Sequence, residues 1–308
     1  MYPSYDDLPV LEGTDLRHAW DHFGREDRLG TLNHLTERDR FDALALARTG
    51  RSVCLTLPLG QPDPPPYGRS SLVHSVYQAN GFSWGDRVDG LDMQSSSQWD
   101  GLLHVRHKEH GFYGGRQSPP APGDPLGIDV LARSGVVGRG VLLDVARHLG
   151  AQGAYDALER RAIDPEQLRE IATAQDVALR PGDILCLRFG WHDAYDRLDA
   201  ADRERVMGSP VGVGLSARPE MARFLWDARV GAVACDNPTV EVQPGDKRDG
   251  YLHHRLITML GMPLGELFDF EELSELCAGT GRWEFLFVSV PLHLVGGVGS
   301  PANAIALV

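Results

Sequence analysis

Four short apolar segments, separated by stretches of helical composition, constrain the fold of this chain most strongly. They begin at Gly140, Ile184, Val230 and Phe285. Each is short and bounded by turn-forming or polar residues, which is the pattern of a buried strand. Strands that alternate with helices are typical of α/β proteins, and the sequence therefore predicts an α/β fold.

Helical composition occurs at 154–176, 219–228 and 254–262. In the first of these, Asp164 followed by Pro165 predicts a helix start. An Asp at this position accepts hydrogen bonds from first-turn amides, and Pro is favoured at the first helical position.

Two loops rich in Pro and Gly, at 61–66 and 116–126, interrupt the pattern. Neither is long enough to be a convincing linker between domains. We therefore expect a single domain over 1–308, with 1–50 as an N-terminal arm of helix and loop. A chain of 308 residues can bury a sizeable core.

The charge balance excludes several classes of partner. The chain has 30 Lys and Arg against 43 Asp and Glu, a formal net charge of −13, so nucleic acids and anionic membranes are not expected partners. No apolar run reaches the roughly 18–20 residues that cross a bilayer. The N-terminus lacks the pattern of a secretory signal. We expect a cytoplasmic protein with a small-molecule substrate.

The cysteines show no spacing that favours a metal site or a redox pair. They are Cys54, Cys186, Cys235 and Cys277. They lie far apart without a C-x-x-C motif, and two of them lie within apolar runs. Buried free thiols are the expected state.

Polar residues with metal-ligand chemistry concentrate in one segment and in a second region far along the chain. They are Gln94, Gln98, Asp100 and His104, followed by His254 and Glu266. A clustered set of donors plus a distant His and Glu is typical of a metal site that the fold assembles. A single His or Asp of this kind is more often an ordinary polar residue.

The local geometry of the first segment has two solutions. On an extended strand, Gln94 and Gln98 share a face but lie about 13 Å apart at about 3.3 Å per residue, which is too far for one ion. The segment would then bend at 95–97 or at Gly101. Alternatively, 94/98 and 100/104 each lie on one helical turn. The sequence leaves both open.

These residues also carry a resemblance to a known family. The chain resembles the metal-dependent cyclases, which include bacterial kynurenine formamidases, isatin hydrolase and polyketide cyclases, with the signature H-x-G-T-H-x-D-x-P-x-H. Gln94 stands at its first His and Gln98 at its second. Asp100 and His104 match the signature Asp and last His, and Leu102 replaces the Pro.

The resemblance extends almost from end to end. Segments that begin at Gly30, Gly135, Arg180 and Gly299 are similar to family segments. The implied fold is the swivelling β/β/α, or cyclase-like, fold, in which a mixed sheet with a β-barrel-like core is flanked by helices. The resemblance also implies a homodimer or a homotetramer.

The two Gln residues change the implied metal centre. In the family, two His and the Asp form one metal site, and the Asp, a downstream His and a Glu form a second. The resemblance here implies one divalent ion held by Asp100, His254 and Glu266, with Gln94 and Gln98 as auxiliary ligands. An oxygen-rich donor set leans towards Mn²⁺ or Mg²⁺, and Zn²⁺ also fits.

The family implies hydrolysis of an amide-like C–N bond, other than a peptide bond, in a small cyclic or aromatic molecule such as a formamide or a lactam. The ion would activate a water molecule, and His104 would act as general base. Pocket candidates near the signature and beyond, with core packing as the alternative for the aromatic ones, are Trp99, Trp84, Phe82, Tyr113 and Arg188.

Three further residues receive minor expectations. His192 is a weaker pocket candidate, Asp236 is a candidate for supporting the ligands, and His253 is expected to point away from the ion.

Two alternative functions stay open at this point. A polyketide-type cyclase or dehydratase would use the same ion as a Lewis acid, and a catalytically inactive relative would only bind a ligand. Retention of Asp100, His104, His254 and Glu266 argues against the inactive relative, since buried polar groups carry a desolvation cost.

Overall fold

A nine-stranded mixed sheet, curled into a half-barrel, forms the centre of the computed structural model, which describes residues 2–308. Within those residues the strands, in chain order, are β1 (Ser52–Cys54), β2 (Val73–Asn80), β3 (Ser83–Asp89), β4 (Gln98–Asp100), β5 (Val136–Asp144), β6 (Arg161–Ile163), β7 (Ile184–Arg188), β8 (Val213–Leu215), β9 (Ala232–Cys235), β10 (Leu264–Glu266), β11 (Glu284–Ser289), β12 (Gly299–Pro301) and β13 (Ala304–Leu307).

The order of strands in the large sheet is β1-β13-β11-β5-β7-β9-β10-β4-β12. The central run β5-β7-β9-β10 is parallel, and the strands outside it pair antiparallel. Parallel strands are covered on both faces and are therefore apolar throughout. The four apolar segments predicted as buried strands become β5, β7, β9 and β11, which confirms the α/β class.

Helices flank the sheet. They are α1 (Glu37–Ala43), α2 (Asp129–Ser134), α3 (Val145–Gln152), α4 (Pro165–Ala174), α5 (Trp191–Asp196), α6 (Ala200–Gly208), α7 (Pro219–Asp227) and α8 (Glu271–Thr280), with a π-helix at His254–Leu260. Short 3₁₀ turns occur at Tyr5–Asp7, Gly30–His34, Leu44–Leu46, Pro66–Gly68 and Tyr113–Gly115.

The start of α4 confirms one prediction and corrects another. Asp164 accepts a hydrogen bond from the amide of Gln167 at 2.9 Å and caps the helix, as the Asp-Pro pair predicts. The predicted helical stretch 154–176 begins eleven residues before α4, because 161–163 pair with β8 as the short strand β6.

The N-terminal arm packs against the π-helix. The amide of Ala19 donates to the carbonyl of Met259 at 2.9 Å, and the indole of Trp20 donates to that of Thr258 at 2.8 Å. A Cβ at Gly30 would lie 1.8 Å from the carbonyl oxygen of Gly261, so only glycine permits this close approach. The arm thereby fixes the helix at whose start His253 lies.

Strands β2 and β3 form a separate hairpin with exposed apolar side chains. The two strands pair with each other and belong to no larger sheet. Phe82 at the turn is fully exposed and Trp84 is 69% exposed. The sequence pattern does not predict these two strands.

Three of the four cysteines meet expectation. Cys186, Cys235 and Cys277 are buried free thiols, whereas Cys54 is exposed near the sheet edge. In the part of the chain from residue 2 onwards, we find no helix with the length and apolarity that a bilayer crossing requires.

Candidate metal centre

The pairing of β4 with β10 brings the first polar groups together. In this antiparallel register Gln98 lies opposite Glu266. Residues directly opposite each other share a face, and alternation places Asp100 on the face of Gln98. The amide nitrogen of Gln98 donates to Oε2 of Glu266 at 2.7 Å. The strand solution, not the helical one, is therefore realised from Gln98 to Asp100.

His253, at the start of the π-helix, completes the cluster. Its Nε2 lies 3.1 Å from Oε1 of Glu266 and 4.0 Å from Oδ2 of Asp100. One donor atom from each of Asp100, His253 and Glu266 lies within 4.8 Å of the other two. This spacing is compact enough for the three side chains to bind one ion together.

Glu241 orients the imidazole of His253. Its Oε1 lies 2.7 Å from Nδ1 of His253, and its Oε2 accepts a hydrogen bond from the amide of Leu252 at 2.5 Å. With a proton on Nδ1, His253 donates a hydrogen bond to Glu241. The lone pair of Nε2 then faces Glu266 and Asp100. Carboxylate–histidine pairs of this kind fix the tautomer of metal-binding imidazoles.

The cluster concentrates negative charge in a buried place. Burial, and after it the charge of Asp100, raises the pKa of Glu266 to about 7. Burial alone would lower the pKa of His253, but the carboxylates of Glu241 and Glu266 raise it well above its usual value. The protein thus compensates its own carboxylates with protons when no other cation is bound.

Several buried polar atoms of the signature segment have no hydrogen-bond partner among residues 2–308. They include both carboxylate oxygens of Asp100, Oε1 of Gln98 and Nε2 of Gln94. An unpaired buried carboxylate is costly, and a divalent cation would supply the missing partner. The set of two carboxylates, one imidazole and a nearby amide oxygen fits one such ion, with donors suited to Mn²⁺ or Mg²⁺ and acceptable to Zn²⁺.

The side chain of Gln94 lies against β12, the strand that pairs with β4. A Cβ at Gly299 would lie 2.4 Å from its Nε2, so the side chain packs over this glycine of β12. Gly299 pairs with Asp100 in the sheet. Gln94 therefore lies close to the residue that pairs with Asp100.

His104 lies at the exposed side of the cluster. The backbone turns after Gly101, whose carbonyl accepts the amide of His104 at 2.9 Å. Its Nε2 then lies 3.7 Å from Oδ1 of Asp100, with 24% of the side chain exposed. The imidazole can therefore meet both the buried carboxylate and a molecule arriving from solvent.

The structure exchanges the roles expected for two adjacent histidines. His253 faces Glu266, whereas His254 lies edge-on to the rings of His107 and Tyr251. Burial, followed by the charge of His107, lowers the pKa of His254. Successive residues of a helix point in different directions, so only one of the two faces the cluster.

Three aromatic pocket candidates lie elsewhere. Trp99 is fully buried on the opposite face of β4, where its indole donates to Ser289 at 2.8 Å. It belongs to the core, because alternate side chains of a strand point to opposite faces. Trp84 and Phe82 lie on the exposed hairpin.

The remaining pocket candidates are engaged in structural contacts. The hydroxyl of Tyr113 donates to Asp27 at 3.1 Å. Arg188 forms a two-pronged ion pair with Glu271 at 2.9 and 2.6 Å and contacts Asp144 at 2.9 Å. Its guanidinium is thus committed within the protein and does not face the cluster's ligands.

The minor candidates also have local partners. Nδ1 of His192 lies 3.7 Å from Asp196 on the same helix. Asp236 accepts the backbone amides of Phe189 and Gly190 at 2.7 and 2.6 Å, and burial raises its pKa to about 7. It anchors the turn before α5.

Backbone strain marks residues that sequence reasoning missed. Tyr67, Val240 and Leu267 have φ values of 61°, 45° and 55°, which non-glycine residues rarely adopt. Val240 precedes Glu241, and Leu267 follows Glu266. Such strain persists only where the surroundings impose it, and it concentrates at functional sites.

The phenol of Tyr67 belongs to the same neighbourhood. Burial of the phenol, and after it the charge of Glu266, raises its pKa. Tyr67 directly follows the Pro-rich loop 61–66, which has no recognisable chemical motif. Neither Tyr67 nor Glu241 could have been singled out from spacing.

Comparisons with known proteins agree with this architecture. A family model described as a putative cyclase matches residues 46–242. A crystal structure described as that of a novel cyclase superposes with a TM-score of 0.83 at 29% identity, covering 94% of this chain and 97% of that one. Among curated protein sequences, none matches the chain.

Two isatin hydrolases share the fold at lower identity. Isatin hydrolase A from Labrenzia aggregata, bound to benzyl benzoate, has a TM-score of 0.61 at 16% identity and covers 86% of this chain and 98% of its own. Isatin hydrolase A from Ralstonia solanacearum has a TM-score of 0.61 at 17% identity, with 86% and 96% covered. These similarities confirm the cyclase-like fold.

Proposed function

Because the chain belongs to the putative cyclase family, we propose that it is a metal-dependent hydrolase of an amide-like C–N bond in a small cyclic or aromatic molecule. The observation that carries this proposal is the buried cluster of Asp100, His253 and Glu266. Both carboxylate oxygens of Asp100 lack a hydrogen-bond partner among residues 2–308, which favours binding of a cation. The neighbouring His104 is partly exposed and is placed for proton transfer.

Each side chain of the cluster has a separate task in this proposal. Asp100, His253 and Glu266 would hold one divalent ion, Glu241 fixes the imidazole, and Gln98 fixes Glu266 by its hydrogen bond. Such an ion, when bound, polarises a carbonyl group and lowers the pKa of water.

His104 would move the proton. The imidazole accepts a proton from water as the new C–O bond forms, and donates it to the nitrogen as the C–N bond breaks. Asp100, 3.7 Å away, stabilises the imidazolium between these two steps. No further reactant is needed, since water supplies both the oxygen and the proton.

The test is turnover of formamides, lactams and lactones by Mn²⁺-loaded and Zn²⁺-loaded protein, followed by mass spectrometry. The proposal expects products that are heavier than the substrate by one water, formed by the wild type and lost in His104→Gln. Turnover that His104→Gln leaves unchanged would contradict the assigned base, and products lighter by one water would contradict hydrolysis.

A cyclase that dehydrates its product is the second candidate, and the description of the matching family supports it. The same ion would then act as a Lewis acid on a carbonyl group, with His104 moving a proton from carbon. Product mass separates the two candidates, because this reaction releases water.

A further inference from the structure

Arg69 lies near enough to Glu266 for its positive charge to act on that carboxylate, and among residues 2–308 it forms no ion pair. Within residues 2–308, no carboxylate oxygen lies within 4.0 Å of its guanidinium. Its one protein hydrogen bond runs from Nη1 to the carbonyl of Pro66 and is long, at 3.5 Å. The side chain is half-buried, so most of its N–H donors are available to a ligand.

Tyr67 holds this guanidinium in place. The Cζ atom of Arg69 lies 5.3 Å from the centre of the Tyr67 ring, which is a favourable cation–π distance. The ring itself is positioned by the left-handed backbone of Tyr67. The two side chains form one unit at the cluster.

The loop that carries the pair is anchored on both sides. The hydroxyl of Tyr195 donates to the carbonyl of Asp63 at 3.0 Å, and the amide of Ser70 donates to Asp92 at 2.8 Å. The run of prolines between 62 and 66 restricts the backbone further. Arg69 is therefore presented by a loop that is anchored at both ends.

The electrostatic surroundings of Arg69 suit this cation to binding an anionic ligand. Asp100, Glu241 and Glu266 make the cluster acidic, and the positive charge of Arg69 acts on Glu266. An anionic ligand would be repelled by these carboxylates except where the guanidinium faces it. The planar fork of Arg matches a carboxylate with two parallel hydrogen bonds.

We propose that Arg69, supported by Tyr67, binds the carboxylate of a small aromatic or cyclic acid at this site. The proposal deepens the proposed function and rests on it for the position of the ligand, because amide hydrolysis releases a carboxylate. Arg188, the arginine predicted as a pocket candidate, is engaged by Glu271 and Asp144.

Calorimetric titration with benzoate, and with the uncharged benzamide, tests the proposal. Wild-type protein, Arg69→Gln and the control Arg51→Gln are compared with and without Mn²⁺. Arg51 is half exposed and pairs with Glu272 at 2.6 Å, so it matches the change in charge without touching the site. We expect Arg69→Gln to weaken benzoate binding about tenfold or more, with benzamide binding and the thermal midpoint unchanged.

Equal benzoate affinity in wild type and Arg69→Gln, or no benzoate binding by the wild type, would overturn the proposal. A separate result bears on the proposed function: uptake of no divalent ion by the wild-type protein would contradict it. A selective loss of benzoate binding in metal-free Arg69→Gln would then still support the role of Arg69.

Discussion

Oε1 of Glu241 lies 2.7 Å from Nδ1 of His253, and this contact decides which imidazole nitrogen faces the cluster. Substituting Glu241→Gln keeps the shape but removes the charge that stabilises the Nδ1 proton. We expect Mn²⁺ affinity, measured by electron paramagnetic resonance, to fall about 10-fold to 100-fold. The exposed Glu272→Gln serves as the control for charge, and equal affinity in both variants would contradict the role of Glu241.

His253→Ala and His254→Ala should differ sharply in metal content. Only His253 contributes an atom to the cluster, whereas His254 contacts His107 and Tyr251. Elemental analysis after dialysis against Mn²⁺ should therefore find the ion in His254→Ala and not in His253→Ala. The reverse result would restore the ligand set expected from the sequence.

The stability of the metal-free protein should decrease as the pH rises through neutrality. The pKa of Glu266 is raised from 4.5 to about 7 in the folded state, mainly by burial and then by Asp100. The folded protein therefore retains a proton that the unfolded chain has already lost, and folding becomes less favourable as this proton leaves. The raised pKa of His253 acts in the same direction.

Denaturant unfolding in the presence of a chelator, at a series of pH values from about 5 to 8, measures this effect. Glu266→Gln should flatten the dependence, because it cannot titrate. Added Mn²⁺ should restore stability at the upper end, since a ligand that binds only the folded state stabilises it. A wild-type curve that rises over this range would show that the sign is wrong.

The hairpin of β2 and β3 should contribute little to the stability of the isolated chain. Phe82 and Trp84 are exposed, and exposed side chains of this kind usually change stability by less than about 0.5 kcal/mol when replaced. Phe82→Ser and Trp84→Ser should therefore leave the thermal midpoint unchanged. A clear decrease, together with a smaller hydrodynamic radius, would show that these side chains are buried in an assembly.

The fold follows from the sequence because its signal is strong and local. The apolar segments of β5, β7 and β9 are buried on both faces, so each forms a continuous run. The hairpin gave no such signal, because its apolar side chains are exposed. Asp164 was identifiable as a helix start since capping depends on residues that are adjacent in the chain.

The site was predictable only in part, for geometric reasons. Asp100 and Glu266 meet through the register of two strands, and the resemblance to the family supplied that pairing. The choice between His253 and His254 depends on the phase of a π-helix, which composition does not encode. Tyr67 and Arg69 are positioned by the path of a loop, and loop paths leave no periodic pattern.

Gln98 and Glu266 are 168 positions apart, yet they meet in a ladder of three residues on each strand. A nascent chain that has not yet emerged as far as Glu266 lacks both the partner strand and the last ligand. Closure of so long a loop is slow compared with the formation of local helices. Binding of the ion would therefore mark the end of folding. The time course of metal uptake during refolding would then report how fast the sheet is completed.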